Sequence, residues 1–123
     1  MILLDTNALI WIELGHVRAR VLTRYPGNLY ASPASLLELE FLLERQRIRL
    51  RRGRTLDDFA SSPVWALDDP SSSAWFERAR GVTWTRDPFD RLIAAHALHR
   101  GWRVATADES ILENLGTRGA LAL

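Results

Sequence analysis

The chain has 123 residues, 47% of them hydrophobic and 25% charged, which is the makeup of one ordinary globular domain with enough apolar material for a real core. It contains no cysteine, and all 16 basic residues are arginine, so disulfides, thiolate metal sites, cysteine nucleophiles, Schiff-base lysines and the phosphate-loop lysine are excluded. Carboxylate, histidine, hydroxyl and arginine chemistry remain, at a net charge of +1 that is too small to indicate a polyanionic partner by itself.

No stretch approaches the roughly 18 uninterrupted apolar residues of a membrane span, and Asp5 and Asn7 break the apolar start. We therefore expect a single cytoplasmic domain over residues 1–123, mature from Met1 and without membrane association. Residues 2–5 (ILLD) read as a short buried strand, after which Thr6 or Asn7 caps a helix running through Leu9, Ile10, Trp11 and Ile12 to Gly15. A second helix is expected from Val17 to Tyr25, ending at Pro26-Gly27, and a second strand over Leu29-Tyr30-Ala31. Ser32-Pro33 opens a third helix that stays apolar through Leu43. Residues 45–62 are mostly polar, with a short helix near Leu56 to Ala60.

Val64 to Leu67 then reads as a strand and Ser71 to Arg80 as a helix. Asp87-Pro88 caps a long helix, Phe89 to Arg100, which Gly101 stops. Trp102 to Thr106 is a strand, followed by the turn Ala107-Asp108-Glu109, a short helix to Leu115 and a terminal strand, Ala120 to Leu123. Strands alternating with helices predict an α/β fold with three α/β/α layers around a mostly parallel central sheet.

Four acids stand where an apolar run gives way to a turn or helix: Asp5, Glu38, Asp90 and Asp108. Ligands of open parallel sheets bind beyond the carboxyl ends of the strands, where Asp5 and Asp108 are both expected. Helix phase separates Glu38 from its neighbours: Glu40 and Glu44 lie within about 40° of each other, with Glu38 on the far side. Glu38 is thus the inward acid. Asp90, three residues after Asp87, reads on spacing alone as a helix-start residue that gains from the helix dipole. Crowded carboxylates repel unless protons or a cation neutralise them, so their convergence would imply a divalent ion.

Taken together, ILLDTNALIW, SPASLLELEFLL, DPFDRLIAAHAL and ATADESI resemble the PIN-domain nucleases, in particular the VapC-like toxins of toxin–antitoxin pairs. The resemblance runs over nearly the whole chain. It implies a metal-dependent endoribonuclease whose ligands to Mg²⁺ or Mn²⁺ are Asp5, Glu38, Asp90 and Asp108, with Thr6, Asn7 and Thr106 as supporting polar residues and Asp87 left to capping. It also implies an RNA substrate, a cognate antitoxin, a homodimer, and a role in inhibiting translation and growth. A catalytically silent binding module and a nuclease acting on DNA are the competing readings; a receiver-like phosphoacceptor resembles a design that needs a lysine, which this chain lacks.

Six arginines fall between Arg45 and Arg54, at 45, 47, 49, 51, 52 and 54, and suit an RNA backbone, an acidic partner or a solvated arm equally. The tryptophans at 11, 65, 75, 84 and 102 are expected in the core or at interfaces, with Trp11 and its apolar neighbours on the first helix a candidate antitoxin contact. His16, His96 and His99 lack metal-ligand spacing and are expected to be structural or exposed.

Overall fold

A computed structural model of the chain describes residues 1–51 and 53–123. Its strands are β1 (Ile2–Leu4), β2 (Leu29–Ala31), β3 (Ala66–Leu67), β4 (Arg103–Thr106) and β5 (Ala120–Ala122). Its helices are α1 (Thr6–Leu14), α2 (Pro33–Glu44), α3 (Leu56–Ala60), α4 (Ser72–Arg80), α5 (Pro88–Arg100) and α6 (Glu109–Gly119), with a 3-10 helix at Val17–Arg24. The sheet has the order β3-β2-β1-β4-β5, and every pairing is parallel. The expected mostly parallel sheet is therefore parallel throughout the described residues.

Strand alternation sends Ile2, Leu4, Leu29, Ala31 and Ala105 into one core, with Leu9, Leu39 and Phe59 from the helices over that face. Leu3 and Val104 enter the opposite core, against Trp75, Ile93 and Ile111 of α4, α5 and α6. Strands covered on both faces must be apolar on both faces, and β1 reads Ile-Leu-Leu for that reason. Helices thus flank the sheet on both sides, as three layers require. Among the described residues no helix is long and apolar enough to cross a membrane.

Several boundaries differ from the sequence reading. The cap of α1 is Asp5 rather than Thr6 or Asn7, and β1 stops at Leu4 to free it. The second helix is a 3-10 helix: its buried residues, Ala19 and Leu22, lie three apart, matching a three-residue turn. β3 is shorter than expected because Trp65 turns into the core instead of pairing. α6 continues past Leu115 to Gly119 through a non-helical Gly116, at φ 65°.

A buried polar clamp, absent from the sequence reading, ties the end of β3 to α5. His96 is fully buried, and its Nε2 lies 2.7 Å from Asp68 Oδ2, while Arg100 donates to both oxygens of the same carboxylate at 2.8 and 3.2 Å. Partial burial pushes the Asp68 carboxyl up, but the hydrogen bonds from Arg100 and His96 outweigh it and hold it below the ordinary carboxylate range. Burial lowers His96 by more than Asp68 raises it, which keeps the ring neutral. Asp68→Ala strands a buried imidazole, so we expect a loss of about 2–3 kcal/mol, read by urea denaturation at pH 7; an unchanged midpoint would mean the clamp contributes nothing.

Candidate active site

The order β3-β2-β1-β4-β5 reverses direction between β1 and β4, and the crevice at such a reversal lies beyond the strands' carboxyl ends. β1 and β4 are neighbours there, and the Asp5 N–H continues the ladder by donating to the Ala105 carbonyl at 3.2 Å. One residue past β1 stands Asp5, and two past β4 stands Asp108. Each caps a helix: the Ala8 N–H donates to Asp5 Oδ1 at 2.7 Å and the Ile111 N–H to Asp108 Oδ1 at 3.0 Å. Both carboxylates are thereby fixed through one oxygen, leaving the other outside the cap.

Asp90 is in the first turn of α5, whose cap is Asp87; Asp87 Oδ1 accepts from the Phe89 and Asp90 N–H groups at 2.8 and 3.1 Å. The expected capping role of Asp87 is observed. Three acids of the site thus sit at the starts of α1, α5 and α6, where the positive ends of the helix dipoles favour negative charge. Glu38 arrives from the middle of α2, half-buried, while Glu40 and Glu44 are exposed. The phase reading of α2 is borne out.

The four acids line a single cavity of about 230 Å³ together with Thr6, Asn7 and Leu42. Thr106 lies buried behind them, and its hydroxyl accepts the Asp108 N–H at 2.9 Å. Thr6 is buried, its hydroxyl close to Glu38 but outside hydrogen-bonding geometry, whereas Asn7 is exposed at the rim. Leu42 was not anticipated: one turn beyond Glu38 on the same face of α2, it makes an apolar wall.

Electrostatics mark the site as charged beyond what the protein neutralises. Asp5 is pushed up to about 6, first by burial and then by Glu38 and Asp108, against the opposing Thr106 hydroxyl and Ala8 N–H. Asp90 is pushed up to about 7 by burial and by the charges of Asp87, Asp108, Glu38 and Asp5. Glu38 is raised by burial and by Asp87, with the Thr6 hydroxyl pulling the other way. Asp87 therefore acts beyond its cap, as a fifth negative charge bearing on Glu38 and Asp90.

Among the described residues no three acidic, histidine or cysteine side chains are spaced to grip an ion as they stand. The donor chemistry nonetheless fits a hard divalent cation. All the polar groups lining the cavity are oxygen donors except for the Asn7 amide nitrogen, Thr6 offers an unpaired hydroxyl, and Mg²⁺ usually takes one or two carboxylates directly and the rest through water.

The model of the PIN domain matches residues 2–116, nearly the whole chain. The chain belongs to the PIN-domain family. A search of curated protein sequences finds no significant match. Among solved structures, this PIN domain is similar to a toxin–antitoxin complex from Klebsiella pneumoniae, at TM-score 0.72 and 19% identity over 98% of this chain and 96% of that one. It is also similar to PAE2754 from Pyrobaculum aerophilum (TM-score 0.66, 20% identity, 98% and 87% covered) and to FitAcB from Neisseria gonorrhoeae (0.53, 22%, 100% and 96%). At these identities the likeness is one of fold, and the all-parallel sheet with helices on both faces is the PIN fold.

Proposed function

We propose that this PIN domain is a Mg²⁺- or Mn²⁺-dependent endoribonuclease and the toxin of a toxin–antitoxin pair, with Asp5, Glu38, Asp90 and Asp108 as its metal-binding and catalytic residues. The observation that carries this reading is the meeting of four acids, distant in sequence, in one cavity at the sheet's reversal point, two of them raised to about 6 and 7. When bound, a divalent ion supplies Lewis-acid polarisation of the phosphoryl group and lowers the pKa of water. The chain's own groups do the positioning. Asp5 and Asp108 are oriented by their caps, and Thr106 fixes the backbone at Asp108. The Thr6 hydroxyl and the Asn7 amide are placed to orient water or a phosphate oxygen, and Leu42 keeps one wall dry.

Membership of the PIN family supports phosphodiester hydrolysis, and the Klebsiella complex supports an antitoxin partner. Exposed Leu37 and Phe41, within a turn of Glu38 on α2, give that partner or a second copy of this chain apolar surface beside the site. Trp11 is a poorer contact than its sequence suggested, being partly buried, stacked on His16 and covered by the Arg18 guanidinium.

Incubating the purified protein with RNA, and with single-stranded DNA of the same sequence, tests the activity. RNA should be cut in Mg²⁺ or Mn²⁺, DNA spared, and EDTA should stop the reaction. Metal binding with no RNA cleavage would identify a silent binding module instead, and preferential cutting of DNA would identify a deoxyribonuclease.

A further inference from the structure

The arginine-rich segment is neither a helix nor a loose arm. Residues 47–51 form a strap outside the helices and strands, with a two-residue alternation of burial: Ile48 and Leu50 are half-buried and pack on the core beside Leu39 and Phe59, while Arg47, Arg49 and Arg51 are exposed. The strap is pinned at one end, where Arg51 donates to the Glu13 carbonyl at 3.3 Å and Arg54 pairs with the Glu13 carboxylate at 3.1 Å. Arg45, Arg47 and Arg49 make no ion pair or side-chain hydrogen bond among the described residues. Arg52 lies outside the described residues.

We propose that the strap is a phosphate track, in which Arg47 and Arg49 hold the backbone of an RNA strand extending from the acid cavity along α2. This rests on the ribonuclease reading of that cavity. Three observations favour a polynucleotide. The alternation presents Arg47 and Arg49 to solvent, both without a protein partner among the described residues, as cations that meet successive phosphates must be. The cavity itself, with its four acids and Asp87 nearby, repels a polyanion, so productive binding needs cationic surface elsewhere. Strap and cavity also share a helix: Leu42 of α2 lines the acid cavity, and Leu39 of the same helix lines a second cavity with Arg47, Arg49 and Arg51. Leu39 and Leu42 stand three apart on one face of α2, so about one turn of that helix links the acid cavity to the strap.

The test is the salt dependence of RNA binding, using the full chain in EDTA with a fluorescently labelled oligouridylate of about 12 nucleotides. Arg47→Gln/Arg49→Gln removes two exposed cations, touches no core residue and spares the Glu13 pins, so the fold is retained. Each lost phosphate contact lowers the log–log salt slope by about 0.7, hence by about 1.4 for the pair. Between 50 and 200 mM salt the affinity of the unsubstituted protein should fall about sevenfold more than the variant's. In Mg²⁺ the variant should show a raised KM with kcat unchanged. An identical salt slope and KM in the variant would overturn the track, even if both proteins cut RNA. Tighter, strap-dependent binding of an oligoglutamate peptide would likewise overturn it, by assigning the strap to an acidic protein partner. Strap-dependent RNA binding by a protein that cuts nothing would uphold the track and defeat the nuclease reading alone.

Discussion

Asp5→Asn should lower RNA cleavage by about a thousandfold or more, about 4 kcal/mol of transition-state stabilisation, in a protein that stays folded and, without metal, melts no lower than the unsubstituted one. Asparagine ranks with aspartate as a helix cap, so the bond from the Ala8 N–H and the start of α1 should survive. What is lost is the charge of the most buried acid of the site. The distance between about 6 and the ordinary 3.8 also means that ionising Asp5 at neutral pH weakens the metal-free native state by up to roughly 3 kcal/mol, which asparagine relieves. Circular dichroism and an RNA cleavage assay together check both halves. Activity within tenfold of the original in a folded variant would remove Asp5 from the chemistry.

The metal-free protein should become less stable as pH rises from about 4 to about 7.5, the opposite of the usual behaviour of paired carboxylates. Asp5 and Asp90 have raised folded-state values, about 6 and about 7, against 3.8 unfolded. Across that window the native state binds more protons than the unfolded chain, so stability is present at the acid end and is lost as the groups ionise. His96 works the other way, because its lowered value takes stability away as pH falls below 6.5. It is one group against three, since Glu38 is raised as well. Asp90→Asn should flatten the profile and stabilise the metal-free protein at pH 7.5 by roughly 1–2 kcal/mol, the full shift being discounted because Asp90 is half-exposed. That corresponds to a rise in Tm of roughly 3–10 °C, while cleavage falls. Thermal melts in EDTA from pH 4.5 to 8 check this, and a Tm that rises with pH across the window would contradict it.

Much of this site is legible in the sequence because strand ends and helix phase are local properties. Asp5 and Asp108 follow from where apolar strands stop, and Glu38 from its phase against Glu40 and Glu44. Asp90 is different. Its spacing from Asp87 describes a helix start, and only the family pattern singled it out before the fold brought α5 to the cavity. Asp5 as the cap of α1 escaped because strand end and cap were assigned to separate residues, whereas one residue serves as both. The Asp68–His96–Arg100 clamp and the seating of Ile48 and Leu50 are tertiary facts: their partners lie 28 residues apart in the first case and on other elements in the second, and no local pattern announces them. For the same reason the influence of Asp87 on Glu38 could not be read from spacing.

The most direct measurement is calorimetric Mn²⁺ titration of the unsubstituted protein at pH 7.5 beside Asp5→Asn, Glu38→Gln, Asp90→Asn and Asp108→Asn. The expected result is binding with proton release in the unsubstituted protein, because Asp90, with a value of about 7, must give up its residual proton as the cation enters. Affinity should be lost for Asp5→Asn and Asp108→Asn and weakened about 10- to 100-fold for the other two. Equal affinity in all five proteins would contradict the assignment of the four acids to one metal centre.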